Sequence, residues 1–449
     1  MTLASKLSGP LRAAALVTAV ALLPAATAGL AQVEGRTSPE FAKLFATYQR
    51  IKTSYVEPVD DDVLIRGAID GMLAALDPHS AFLDGAALER LETMIDGNYQ
   101  GLGISVQMDD GAVKVVSPFK GSPADKAGIK AGDFITHIDG KLIYGLELDE
   151  AVKQMRGPAG SAIRLSIFRP GRDEPFDVDV TRGVIELEPV TFELKEGRIG
   201  YISVNEFSRD VGADVSAALA GLRQQAGGRL AGLVLDLRKN PGGSLDEAVA
   251  LSDLFLSKGQ IVSQRGRNTR DSIYYEAESV YRGDAAAGVP MIVLIDAGSA
   301  SASEIVAGAL QDQHRALVMG ERSFGKGSVQ TLLPLTRDSA LKLTTARYFT
   351  PSGRSVQEGG IDPDIRVPQL SDPDAAKRAQ YALRESDLRG HLVNEIGLED
   401  KELEADRRDD PRFQLTAEQL EEQGIDDFQL DYALRTLRRG SAAVVASRN

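Results

Sequence analysis

Two apolar runs that each stop at a turn of small residues constrain this chain most. Residues 289–295 are almost uninterruptedly apolar and lead into Asp296-Ala-Gly-Ser299-Ala-Ser301-Ala-Ser303-Glu304-Ile. A run so short and so uniform reads as a strand covered on both faces, and residues 304–310 read as the helix after it. That order puts the turn at a helix N-terminus, where unpaired N–H groups concentrate partial positive charge. A serine placed there can carry developing negative charge, or it can simply cap the helix.

A second short apolar run, 316–319, is followed by Phe324-Gly-Lys326-Gly-Ser-Val-Gln330. Glycine lets backbone approach closely, so a lysine between two glycines can be stripped of water. Desolvation lowers the proton affinity of an amine, and a neutral lysine can take a proton from serine. Gln330, four residues on, returns to the same side and can orient the amine without adding charge. A third run, Leu233-Val-Leu-Asp236-Leu-Arg238, ends in Asn240-Pro-Gly242-Gly243. Its glycines offer N–H groups at a strand's carboxyl end, so Gly243 and Ala302 can supply two donors to an oxyanion. A serine nucleophile, a lysine base and such donors are the equipment of a hydrolase. Spacing does not choose among Ser299, Ser301 and Ser303. Of the four histidines, 79, 137, 314 and 391, His314 lies just past the helix. It keeps a Ser-His-Asp triad open, against a plain role as a helix C-terminal cation.

These three segments resemble the carboxyl-terminal processing (tail-specific) serine peptidases. The likeness runs from about residue 41 to 368, and Arg384-Glu-Ser-Asp-Leu-Arg-Gly-His-Leu shares it. It implies a crotonase-like α/β core in which Ser301 is the nucleophile, Lys326 the base and Gln330 its orienting partner. Asp296 departs from the pattern, because many relatives carry asparagine there.

Residues 97–182 resemble a PDZ domain. Tyr99-Gln-Gly101-Leu102-Gly103-Ile104 precedes alternating strand-like runs, Gly128-Ile-Lys-Ala-Gly-Asp133 and a helix over 148–155. N–H groups of that loop can hold a peptide carboxylate while the peptide adds as a strand beside residues 104–106. Leu102, Gly103, Ile104 and Val152 then form the binding loop and pocket. Leu102, Ile104 and Val152 read equally well as ordinary core.

A chain of 449 residues predicts two or three domains. The formal charge of −14, with no basic stripe, argues against nucleic acid as a partner. No cysteine is present, which removes disulfides and thiolate chemistry. The scattered histidines give no metal-ligand spacing, so neither a metal nor a cofactor is expected. Lys6 and Arg12 precede an apolar run, 13–23, with small residues after it. This reads as a secretory signal, with an uncleaved anchor as the alternative.

The expected organisation is a signal peptide over 1–31, a helical region over 36–95, the PDZ domain over 97–182, the protease core over 183–368, and a charged linker with helices over 369–449. Within the last region, 395–410 reads as solvated linker and 428–437 as an amphipathic helix. The whole reads as a periplasmic Ser-Lys endopeptidase that cleaves proteins near their C-termini. Its substrates would be proteins or peptides with free C-termini, and the PDZ domain would bind or gate the tail. The resemblance adds an adaptor or activator protein and a homo-oligomer as partners. Two other classes stay open, a non-catalytic PDZ adaptor on a degenerate hydrolase scaffold and an acyl-CoA enzyme of the same core fold.

Overall fold

The computed structural model describes residues 38–109, 111–119, 121–146, 148–172, 174–186, 188–268, 270, 272–278, 283–371, 384–394, 413 and 415–439. The expected signal segment over 1–31 and the linker over 395–410 lie outside the described residues. The chain divides into two compact units, 1–71 and 72–449.

In the first unit the helix Pro39–Ser54 begins at Ser38, whose hydroxyl accepts from the Phe41 N–H, with proline in its first turn. Lys52 and Tyr48 both reach Asp61, at 2.7 and 2.8 Å, where the helix Asp61–Ala74 starts. No side chain of the first helix is buried, and Phe41 and Phe45 are more than half exposed.

The second unit is built on a six-stranded sheet in the order Val190–Lys195, Ile199–Val204, Gly232–Asp236, Met291–Ile295, Leu317–Gly320, Ile365–Arg366. Only the first pair is antiparallel. Parallel neighbours need crossovers, and the helices Val211–Gln225 and Ala302–Asp312 supply two of them. Every residue of the two central strands, Gly232–Asp236 and Met291–Ile295, is buried, which explains why both segments are continuously apolar.

On one face, Leu233, Leu235, Val293 and Ile295 pack with Leu219, Leu251, Leu254 and Val306 of the helices. On the other, Val234, Ile292, Leu294 and Met319 are covered by Leu420, Phe428, Ala433 and Leu437 from the end of the chain. Each such aliphatic side chain stabilises the fold by about 1.5–3 kcal/mol on burial. From sequence, 428–437 reads only as an amphipathic helix beyond a charged linker. Instead the helix Phe428–Arg438 is a layer of the core. A buried ion network fastens it: Arg238 contacts Asp236 at 2.5 Å and Asp427 at 2.7 Å, and the Tyr201 hydroxyl donates to Asp236. Burial works against the Arg238 charge, and the two carboxylates more than restore it.

A second, antiparallel sheet joins Gln260–Gly266, Ile273–Glu276, Ser328–Pro334 and Ser339–Phe349. The strand Ala81–Asp84 also pairs with Ser339–Phe349, so the expected N-terminal helical region contributes a strand to the core.

The PDZ domain is a six-stranded sheet around a separate core that includes Val113, Ile135, Leu165 and Ile167. Its two chain ends run side by side as a ribbon, Asn98–Gly101 against Gly183–Glu186. The domain is thus inserted at one point of the chain's path.

Candidate active site

Three turns meet at the carboxyl ends of the parallel strands, the place where open α/β sheets bind their ligands. The three serines of the 299–303 turn are sorted by burial. Ser299 and Ser303 are fully buried and their hydroxyls are engaged, Ser299 donating to the Leu237 carbonyl and Ser303 to the Asn240 carbonyl. Ser301 alone is partly exposed, at the N-cap of Ala302–Asp312. Its φ of 55° and ψ of −111° lie outside the regions a serine prefers, a strain of about 1–3 kcal/mol that the surrounding bonds must hold. The buried Tyr348 phenol lies close to its hydroxyl. Burial pushes that phenol far above the usual tyrosine range, so it stays protonated.

The 240–243 turn lies directly beneath this serine. A Cβ added at Gly242 would stand 2.8 Å from the Ser301 Cβ and 3.0 Å from the Ala302 nitrogen, so only glycine allows the approach. Asn240 fixes the turn, donating to the Val204 carbonyl and accepting from the Gly242 N–H. Among the described residues, the N–H groups of Gly243 and Ala302 have no acceptor. Asp296 organises the neighbouring loop through the N–H groups of Lys239 and Gly298. Its acceptor oxygen does the work an asparagine oxygen would do.

Lys326 is largely enclosed, and its amine has no hydrogen-bond partner among the described residues. Burial lowers its proton affinity and nearby Lys342 pushes the same way, while Glu385, Glu304 and Asp77 pull it back. Gln330, expected beside the amine, donates instead to the Ser328 and Thr344 hydroxyls at 2.9 and 3.3 Å. It reaches outward from its strand into a polar chain, Gln330 to Thr344 to Ser80 to Asp77.

The link between the serine and lysine turns is Glu304. One carboxylate oxygen accepts from the Ser301 N–H at 2.7 Å and from the Lys326 N–H at 3.0 Å. The other accepts from the Ser323 hydroxyl and the Gly325 N–H. Burial pushes this carboxyl up to about 7 against four bonds that favour its ionised form. The sequence reading assigned it no role, although a glutamate three residues after an N-cap serine is the capping-box signal.

His314 is exposed at the opposite end of the Ala302–Asp312 helix, about 16 Å of helix length from Ser301. That placement removes the histidine triad. His79 comes instead to the lysine side of the site, where its ring binds Glu385.

In the PDZ domain, Leu102 is 3% exposed and belongs to the core, while Ile104 and Val152 are half-buried against that same core. Gly103 has φ +72°, and a Cβ there would meet the Ser122 Cβ at 2.4 Å. The loop is therefore glycine by necessity.

Comparisons with known proteins define a class first. The family model for Peptidase family S41 matches residues 198–367, one for a PDZ domain matches 114–169, and one for the activating protease CtpB N-terminal domain matches 23–87. These make the chain a serine-type peptidase with a PDZ domain. It is 48% identical over 360 residues to a carboxy-terminal-processing protease of Bartonella bacilliformis, covering 80% of this chain and 82% of that one. It is 36% identical over 339 residues to carboxy-terminal processing protease CtpA of Bacillus subtilis, covering 75% and 70%. Among solved structures, the photosystem II D1 C-terminal processing protease is 31% identical, with 78% and 92% covered and a TM-score of 0.45. The chain belongs to peptidase family S41 and, within it, to the carboxy-terminal processing proteases.

Proposed function

We propose that this protease works by a Ser-Lys dyad outside the cytoplasm, cutting proteins whose free C-termini its PDZ domain engages. The observation that carries the mechanism is the shared carboxylate oxygen of Glu304, which ties the backbone of Ser301 to that of Lys326. Neutral Lys326 takes the proton from the Ser301 hydroxyl as its oxygen attacks the scissile carbonyl. The N–H groups of Gly243 and Ala302 hold the resulting oxyanion. The lysine ammonium then protonates the leaving amine, and the acyl-enzyme is hydrolysed by a water that the same amine deprotonates. Gln330 supports the lysine turn from one bond further out, through Ser328 and Thr344.

The basic, apolar N-terminal stretch supports export to the periplasm, cleaved or anchored. The exposed Phe41, Leu44 and Phe45 of the first helix support self-association, and an adaptor or activator remains part of the family expectation. A fluorophosphonate serine probe tests the dyad. Labelling that disappears in Ser301→Ala and slows severely in Lys326→Ala fits the reading, and unchanged labelling of Lys326→Ala sinks it. A chain that binds peptide tails, never labels and never cleaves would instead be the adaptor.

A further inference from the structure

The turn that carries Lys326 is gripped from outside by a short strap of chain, residues 384–394, which no part of the chemistry above uses. The grip begins at the two glycines. The Gly327 N–H donates to the side-chain oxygen of buried Gln357 at 3.0 Å, and the Glu358 N–H donates to the Gly325 carbonyl at 2.8 Å. A Cβ at Gly327 would stand 2.3 Å from the Gln357 nitrogen, and one at Gly325 would stand 2.7 Å from the Glu358 carbonyl oxygen. The lysine turn therefore lies flat against residues 357 and 358.

Those two residues are in turn fixed by the strap. Gln357 donates its other side-chain atom to Glu385 at 2.9 Å, and its carbonyl accepts from the Asn394 amide. Glu358 is bound by the His391 ring at 2.7 Å and by the Asn394 N–H. Glu385 is completely buried, donates its own N–H to the Phe324 carbonyl, and meets the His79 ring with both carboxylate oxygens, at 2.8 and 2.9 Å.

We propose that Glu385 is a positioning residue for Lys326: clasped between His79 and Gln357, it locks the 325–327 turn in place and sets a fixed negative charge behind the lysine. The inference rests on Lys326 being the base. A bare carboxylate at zero exposure is costly, and here hydrogen bonds from His79 and Gln357, with the Lys326 charge nearby, hold it ionised although burial alone would raise it. The charged groups that act on Lys326 come from four elements. Lys342 lies on the strand Ser339–Phe349, Glu304 on the helix, Asp77 in the turn before Ala81–Asp84, and Glu385 on the strap. Glu385 and Lys342 oppose each other, so removing the Glu385 charge makes the amine easier to deprotonate.

The test is the dependence of kcat on pH for the full chain acting on a peptide with a free C-terminus, over roughly pH 6–11. Glu385→Gln keeps the size and removes the charge, and its amide can still accept from Gln357 with its oxygen while donating to the His79 ring. Its rising limb should move to lower pH by about half a unit or more, with KM changed less than about twofold. Glu385→Ala, which also releases Gln357, should show the same shift with kcat about tenfold lower. Limbs of both variants within about 0.2 unit of the parent, or displaced to higher pH, would overturn the proposal. If the alanine variant does not fold, the glutamine variant decides alone. Lys326→Ala is the control. If it is inactive while the limbs do not move, the base reading stands and only the role of Glu385 falls; if it is active, both fall.

Discussion

The protease core and the PDZ domain solve different problems with the same elements. Around Ser301 and Lys326, positions are fixed by buried polar atoms reaching across long stretches of sequence: Glu304 to two turns, Gln357 to the strap, Arg238 to Asp427. The PDZ domain has its own apolar core and joins the chain through one two-stranded ribbon. The proposed dyad, a neutral lysine serving a strained serine, needs satisfied bonds on every side. Recognition of a flexible tail needs a strand edge and a loop, and tolerates a looser mounting. The difference teaches that damage to the core should erase turnover, whereas damage to the PDZ domain should grade it.

The sharpest break would come at the dyad. Ser301→Ala and Lys326→Ala should each lower kcat by several orders of magnitude with folding unchanged by circular dichroism, since members of one catalytic unit are not additive. A lysine variant with near-normal turnover in a single-turnover assay would end the dyad reading.

Next in size is the connection between the two turns. Glu304→Gln puts an amide where N–H donors converge, so at least one of its four bonds must go. Turnover should fall about tenfold to a hundredfold and the Tm should drop, since a buried donor left unmade costs about 1–3 kcal/mol. A peptide-binding assay of the PDZ domain should not change; if it does, the two regions are less independent than their cores indicate.

A graded effect is expected from the tail. Amidating the substrate's C-terminus, or Ile104→Asp on the half-buried first PDZ strand, should lower kcat/KM about tenfold while serine-probe labelling persists. Equal cleavage of amidated and free peptides would remove carboxylate recognition. Leu102→Ala is a poor probe of the pocket, because that side chain is core and its loss would loosen the domain.

The smallest effect sharpens the cost of the buried lysine. Its affinity for a proton is lowered in the fold, so the unfolded chain binds more protons and stability rises with pH until the ordinary lysine value of 10.5 is passed. Lys326→Met should therefore melt higher than the parent near neutral pH, with the gap closing as pH approaches 10.5. A gap that is constant with pH would mean that the amine is solvated after all.

The strands that lead into the three turns were legible because each is one contiguous apolar run that ends in small residues. Which of three serines reacts was not legible from spacing, since it depends on carbonyls of Leu237 and Asn240 some sixty residues away. The clasp on Lys326 was harder still. His79 and Glu385 are 306 residues apart and belong to segments with no periodicity of their own. The C-terminal helix showed its amphipathic face, but a sequence does not say which surface that face covers. Spacing and the family resemblance both aimed Gln330 at the amine, whereas its side-chain nitrogen donates to Ser328 and Thr344.

The covering of the sheet's second face by Phe428, Ala433 and Leu437 has a consequence in time. A ribosome releases Ser301 and Lys326 long before the strap and this helix. While the chain is still emerging, Val234, Ile292 and Leu294 lie bare and Arg238 lacks Asp427, so the strand that feeds the 240–243 turn is not yet seated. The core of this protease is therefore completed only by nearly its last described residues.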